Sequence, residues 1–232
     1  MENNKIITLE GVKKHFPIGG GKFTALNGIT ITFGVGEFAG FVGPSGSGKT
    51  TLLNLIGSLD TPSEGKVLVL DNDIGLLTAK KAAMLRRKKL GFIFQTYNLL
   101  PVYTVFENIE FPLLLFNMGA SERKKAVLDA IEWVGLSDKI KSKPAQLSGG
   151  ECQRVAIARA MVKKPKVVLA DEPTANLDSE NSHHILQTME NLNKDLKTTF
   201  IFATHDDKVI KYLKRKILLQ DGKVTTDEVT TN

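Results

Sequence analysis

The chain has 232 residues, 42% apolar and 24% charged, with a single cysteine and a formal net charge of +6. That apolar fraction can bury a full core, which excludes an intrinsically disordered chain and fits one large α/β domain or two small ones. No apolar run approaches the roughly 18–20 residues that span a bilayer, and the opening Met1-Glu2-Asn3-Asn4 lacks the basic and apolar regions of a signal peptide. Cys152 alone excludes an internal disulfide and fits a reducing compartment, so the expectation is a soluble cytoplasmic protein. The basic runs Arg86 to Lys89, Arg123 to Lys125 and Lys214 to Lys216 read as solvated helix faces, with a membrane-facing or nucleic-acid surface as the alternative.

The N-terminal segment alternates apolar and polar residues, as in Ile7-Thr8-Leu9 and Ile29 to Phe33. This predicts half-buried strands punctuated by turns at Gly19-Gly20-Gly21 and Gly34-Val35-Gly36. An apolar run from Phe38 to Val42 then meets Gly43-Pro44-Ser45-Gly46-Ser47-Gly48-Lys49-Thr50 and a second run from Leu52 to Ile56. The order predicts a buried strand, a G-x-x-x-x-G-K-T loop and a helix. Such a loop turns successive backbone N–H groups inward, and the helix adds partial positive charge at its N-terminus. Gly43, Pro44, Ser45, Gly46, Ser47, Gly48, Lys49, Thr50 and Thr51 are therefore expected to hold a nucleoside triphosphate. Lys49 would reach the β- and γ-phosphates and the Thr50 hydroxyl would ligate Mg²⁺.

Thr61 to Gly65 breaks the chain, and a strand from Lys66 to Leu70 and an Ala/Lys/Arg-rich helix through Lys89 follow. Leu90 to Phe94 is a short buried strand ending at Gln95. From there to about residue 157 the pattern is helical, with capping-box spacing at Thr104-x-x-Glu107 and Ser148-x-x-Glu151. Strands return at Lys166 to Ala170, Thr199 to Ala203 and Lys216 to Gln220. Asp221-Gly222 then turns into a final short strand, and the polar tail from Thr225 to Asn232 is expected to fray. Strands alternating with helices around a strand-end phosphate loop predict an α/β fold with a parallel sheet covered on both faces. We expect one domain over residues 1–232, with a core of about 1–95 and 158–232 and an inserted helical subdomain of about 96–157.

Val167 to Ala170 should deliver Asp171 and Glu172 at a strand end, where open α/β sheets hold their ligands. Asp171 would hold Mg²⁺ opposite Thr50, directly or through water, and Glu172 would polarise an attacking water. Leu147-Ser148-Gly149-Gly150-Glu151 opens a helix with free N–H groups, a second anion site. A domain has little use for two such sites unless both address one phosphate or two copies meet. His183 and His184 are adjacent rather than i, i+4, and read as surface residues.

Gly43 to Thr50, Gln95, Leu147 to Glu151, Asp171-Glu172, Asn176-Leu177-Asp178 and Thr204-His205-Asp206 together resemble, in order and spacing, an ABC ATPase over essentially the whole chain. The resemblance implies a P-loop NTPase core with a mostly parallel sheet, an N-terminal antiparallel β subdomain and the inserted helical subdomain. It further implies a head-to-tail homodimer around two ATP, with Mg²⁺, in which Ser148, Gly149 and Gly150 of one subunit meet the γ-phosphate held by Lys49 of the other. By the same resemblance Glu172, His205, Lys49 and Gln95 are catalytic, with His205 orienting the water. Thr50, Gln95 and Asp171 would hold the metal, Asp178 would cross the dimer, and Phe16 (or His15) would stack on adenine. Gly57 to Pro62, Tyr97 to Pro101 and Glu107 to Leu113 look like the MacB/LolD-type ATPases of lipoprotein release, macrolide export and peptide resistance. That implies an integral membrane permease docking around Gln95 to Phe111, a peripheral location on the inner face of the cell membrane, and no nucleic acid. A soluble ABC ATPase acting on nucleic acid or ribosomes is the alternative, disfavoured by a single cassette without heptads or zinc insertions. Cys152 stands where relatives carry a longer polar residue. It is either a tolerated small side chain or, if its sulfur faces the helix N-terminus, a thiol of lowered pKa.

Overall fold

The alternating N-terminal segment folds into two long strands, β1 (Lys5–Ile18) and β2 (Gly21–Gly34), which the glycine turn pairs antiparallel. The computed structural model describes residues 5–230, so Met1 to Asn4 and the last two residues of the expected fraying tail lie outside the described residues. Strand β3 (Phe38–Val42), helix α1 (Lys49–Ile56), strands β4 (Glu64–Val69) and β5 (Asn72–Asp73), helix α2 (Ala79–Lys89) and strand β6 (Leu90–Ile93) follow. Next come helices α3 (Val105–Glu110), α4 (Ala120–Trp133) and α5 (Gly149–Met161), and then β7 (Val167–Asp171), α6 (Ser179–Leu196), β8 (Thr199–Thr204), α7 (Asp207–Ile210), β9 (Arg215–Gln220) and β10 (Lys223–Val229).

Two sheets result. The antiparallel one has the order β2-β1-β4-β5, and the larger one β10-β9-β3-β8-β7-β6, parallel from β9 through β6. Strands β3, β7 and β8 read as unbroken apolar runs because helices or the other sheet cover both of their faces. Helix α1 lies in the layer between the sheets. Leu52, Leu55 and Ile56 are sealed there against Val67 and Val69 on one side and Leu169 and Ile201 on the other. The opposite face of the large sheet carries Val168, Ala170, Phe200 and Phe202 against α3 to α6. The predicted α/β class, with an antiparallel N-terminal sheet and a helical stretch between β6 and β7, is the architecture found.

Both capping boxes form. Thr104 and Glu107 exchange side-chain and backbone bonds at the start of α3, and Ser148 and Glu151 do so at the start of α5. The period seen at Ala126, Ala130, Trp133 and Val134 buries Ala130 and Val134, with Val127 and Ile131 completing the stripe. One expectation fails: the tail does not fray at Thr225. It continues as β10 to Val229, paired with β9, and the Arg215 guanidinium clasps Asp227 through two bonds of 2.7 Å. Polarity misled here because an exposed edge strand takes its backbone bonds from a neighbour and needs no apolar face. No helix among the described residues is long and apolar enough to cross a membrane.

Candidate active site

The loop after β3 is forced by two glycines. Gly43 has φ 155, and a Cβ there would overlap the Leu219 carbonyl oxygen. Gly48 has φ 104, and its Cβ would lie 2.7 Å from the Ala25 carbonyl oxygen. Gly48 also caps α1 without any side-chain bond, leaving the helix's first N–H groups available to an anion. Lys49 folds back over the loop, donating from Nζ to the carbonyls of Gly43 (2.7 Å) and Pro44 (2.8 Å). Burial pushes its pKa down, opposed by the charges of Glu172 and Asp171. Thr50 at the start of α1 meets Asp171 at the end of β7, its hydroxyl 3.0 Å from the nearer carboxylate oxygen. Burial raises the Asp171 pKa, and the Thr50 hydrogen bond works against it.

Glu172 continues from β7 with φ 45, a left-handed conformation that costs a non-glycine residue on the order of 1–3 kcal/mol. Its carboxylate is held by the Thr204 hydroxyl at 3.0 Å, the His205 backbone N–H at 3.2 Å and the His205 ring Nδ1 at 2.5 Å. Parallel pairing of β7 with β8 brings these two strand ends together. The hairpin of β1 and β2 supplies the remaining wall. Phe16 lies opposite Phe23 in the register, so both rings share a face, and the Lys14 ammonium sits 5.2 Å from the Phe16 ring centre. His15 is engaged elsewhere, with Thr24 at 3.0 Å and Glu64 at 3.3 Å.

One cleft of about 600 Å³ is lined by Phe16, Phe23 and Ala25, by Ser45, Gly46, Gly48, Lys49, Thr50 and Thr51, and by Gln95, Asp171, Glu172 and His205. A uncapped helix start, a lysine and an aromatic face suit a nucleotide. A hydroxyl beside a carboxylate suits a hard divalent cation. Gly43, Pro44 and Ser47 belong to the same loop without lining the cleft, and the buried Ser47 hydroxyl has no hydrogen-bond partner among the described residues.

Ser148, Gly149, Gly150 and Asp178 are not among the residues lining that cleft. Ser148 accepts from the Glu151 N–H (3.2 Å) while Glu151 accepts from the Ser148 N–H (2.7 Å), which holds the Glu151 carboxyl below its usual range. Asp178 caps α6, accepting from the Asn181 N–H at 2.8 Å and its side-chain amide at 2.7 Å. Asn181 in turn abuts Gly150, where a Cβ would collide with its Oδ1. Ser148, Gly149 and Asp178 are exposed, so a partner could reach this corner.

The family described as "ABC transporter" matches residues 26–175. The chain belongs to the ABC transporter family. It is 42% identical over 97% of its length to the lipoprotein-releasing system ATP-binding protein LolD of Pseudoalteromonas translucida, covering 97% of that protein. It is 41% identical to the uncharacterized ABC transporter ATP-binding protein YvrO of Bacillus subtilis, with 96% of this chain and 97% of that one aligned. The macrolide export ATP-binding/permease protein MacB of Hyphomonas neptunium is 42% identical over 96% of this chain, which spans 34% of it. Among solved structures, the ATP-binding cassette MJ0796, dimeric in a post-hydrolysis state bound to ADP and Pi, superposes with a TM-score of 0.89 at 39% identity, covering 97% of this chain and 99% of that one. This ABC protein is thus an ATP-hydrolysing transporter subunit of the LolD/MacB type, on a P-loop NTPase fold.

Three residues near the cleft or its loops, Phe23, Gln153 and Arg159, carry no functional mark in the sequence. Phe23 carries no motif of its own, although the glycine turn and the alternation around it set it across from Phe16. Gln153 and Arg159 gave no signal, because each bonds to the backbone of a loop remote in sequence. The structure also decides the two readings of Cys152. The side chain is buried with Sγ toward the Pro144 carbonyl at 3.7 Å, and desolvation raises its pKa, which disfavours the thiolate and is the opposite of the lowered pKa that the second reading requires.

Proposed function

We propose that two copies of this chain pack head to tail around two ATP, each supplying the residues its partner's cleft lacks. The observation that carries this reading is the division of the site. Lys49, Thr50, Gln95, Asp171, Glu172 and His205 share one cleft, while the phosphate-binding helix start at Ser148 to Gly150 is apart from it. In this reading the loop from Gly43 to Thr51 and the ring of Phe16 hold ATP. Glu172 accepts the proton of the attacking water, and His205, bonded to Glu172, orients that water beside the γ-phosphate. Ser148, Gly149 and Gly150 contact the γ-phosphate held by the other copy, and Asp178 reaches across the dimer. Thr50, Asp171 and Gln95 would hold Mg²⁺, which when bound would offset the negative charge of the triphosphate.

The permease is proposed to be a separate integral membrane protein. The helical segment, about residues 96–157, would receive it as a unit that tilts with the nucleotide state. Exposed Val102, Tyr103, Phe111, Leu114 and Leu115, in the segment that follows Gln95, support a docking surface there, which would hold the chain at the inner face of the cell membrane. The test is Glu172→Gln with Mg-ATP in sedimentation velocity. The variant should bind ATP, hydrolyse it about a hundredfold or more slower, and sediment as a dimer. A species that stays monomeric at saturating Mg-ATP would contradict the paired site.

A further inference from the structure

Helix α5 begins at the phosphate-facing glycines, and two of its side chains reach into loops of the cleft in the same chain. Gln153 is fully buried and donates from Nε2 to the Pro173 carbonyl at 2.7 Å. The opposite amide orientation would set two oxygens against each other. Pro173 directly follows Glu172, whose backbone stands in the left-handed region at φ 45. Further along α5, Arg159 donates from Nη1 to the Asn98 carbonyl at 2.5 Å and from Nη2 to the Tyr97 carbonyl at 2.6 Å. Tyr97 and Asn98 lie just past Gln95 and are left-handed too, at φ 58 and φ 50. Asn98 adopts that conformation readily, but Glu172 and Tyr97 keep it only where their surroundings hold them, so the bonded carbonyls of Pro173 and Tyr97 mark held points of the two loops. The Tyr97 hydroxyl lies beside the start of α5, 3.0 Å from where a Gly149 Cβ would stand.

We infer that Gln153 and Arg159 are positioning residues through which α5 transmits phosphate contact at its N-terminus to the loops carrying Glu172 and Gln95. A helix of 13 residues is a stiff rod, and a small shift at one end moves side chains along its length. In the proposed pair, ATP held by one copy therefore sets the water-polarising carboxylate of the other. This is a coupling free energy between the two sites, carried by a contiguous bonded element. The inference rests on the head-to-tail reading above.

The experiment compares full-length wild type with Gln153→Met, which keeps the side chain's length and apolar stem but cannot donate, and with Arg159→Lys, which keeps the charge but loses the fork. Steady-state ATP hydrolysis is followed against ATP concentration, with thermal melts alongside and ATP-driven dimerisation measured in the Glu172→Gln background. In Gln153→Met, kcat should fall about tenfold or more while KM for ATP stays within about twofold, because the carboxylate and not the nucleotide loses its placement. The Hill coefficient should drop from near two toward one while the dimer still forms, and Arg159→Lys should shift the same way by less. Wild-type kcat and cooperativity in Gln153→Met would overturn the inference. A loss of kcat with the Hill coefficient unchanged would also overturn it, since that marks a local effect on Glu172. If Gln153→Met fails to fold, Arg159→Lys decides by the same criteria. A non-cooperative wild type with a monomeric Glu172→Gln overturns the paired site and this inference with it. A cooperative wild type with a dimeric Glu172→Gln keeps the paired site standing, so failure of the variants then falls on the inference alone.

Discussion

Lys49 is the residue on which the proposed phosphate contact most directly depends. Its ammonium is buried, its pKa is lowered by desolvation, and its two bonds go to loop carbonyls that a phosphate would outcompete. Lys49→Ala should weaken ATP binding about ten- to a hundredfold by calorimetry, the range of a charge-assisted contact. Unchanged affinity would remove Lys49 from the phosphate site. The aromatic wall makes a different claim. Stacking uses only the π-face of a base, so Phe16→Ala and Phe23→Ala should each weaken binding about fivefold or more, and equally for ATP and GTP. A variant that loses ATP alone would mean that the rings read the base edge. Phe16 was legible from its family position. Phe23 became legible only with the strand register, because a lone Phe in an alternating strand reads as core and this one is 50% exposed.

At the scale of elements, α5 carries the largest contrast between what its sequence announces and what it does. Ser-x-x-Glu spacing foretold its capped start, and the cap forms through bonds at both ends. Ser148→Ala should cost about 1 kcal/mol in urea unfolding, the usual value for a lost N-cap. Beyond the other end of α5, Lys163 donates to the Arg86 carbonyl from a largely desolvated position, and its pKa falls to about 8. A lysine whose folded pKa lies below its unfolded value costs stability, fully so below pH about 8. The cost is relieved as pH rises toward the ordinary lysine value of 10.5. Lys163→Met should therefore be more stable than wild type near neutrality, by about 3 kcal/mol at most after the lost carbonyl bond is set against it. That advantage should shrink between pH 8 and 10.5 in matched denaturant titrations. A stability difference that is flat across this range would show that the ammonium is solvated. The β10 strand teaches the complementary lesson: a polar sequence forms a stable edge when Arg215 and β9 are there to hold it.

At the scale of the whole molecule, the two sheets, with α1 between them, collect the ends of β3, β7 and β8 at one cleft, and the glycine-led start of α5 stands outside it. A site divided in this way should make turnover depend on chain concentration. ATP hydrolysis per chain should rise with protein concentration across the range where sedimentation finds monomers giving way to pairs, then level off. Turnover per chain that is constant through the monomer range would mean a single copy is catalytically complete.

The sequence by itself determined the α/β class, the glycine-led loop after β3, the acidic pair after β7, both capped helix starts and the family. These rest on local periodicity and on residue types whose chemistry works at fixed spacing. Tertiary structure alone decided which residues share a cleft, which side of α5 turns inward, and the state of Cys152. It also decided the strand formed by the tail and the bonds of Gln153 and Arg159 to the backbones of two distant loops. The physical reason is that these outcomes depend on burial and on hydrogen bonds to backbone groups. A carbonyl such as that of Pro173 or Tyr97 is present at every residue, so nothing in the letters marks which one a side chain will find.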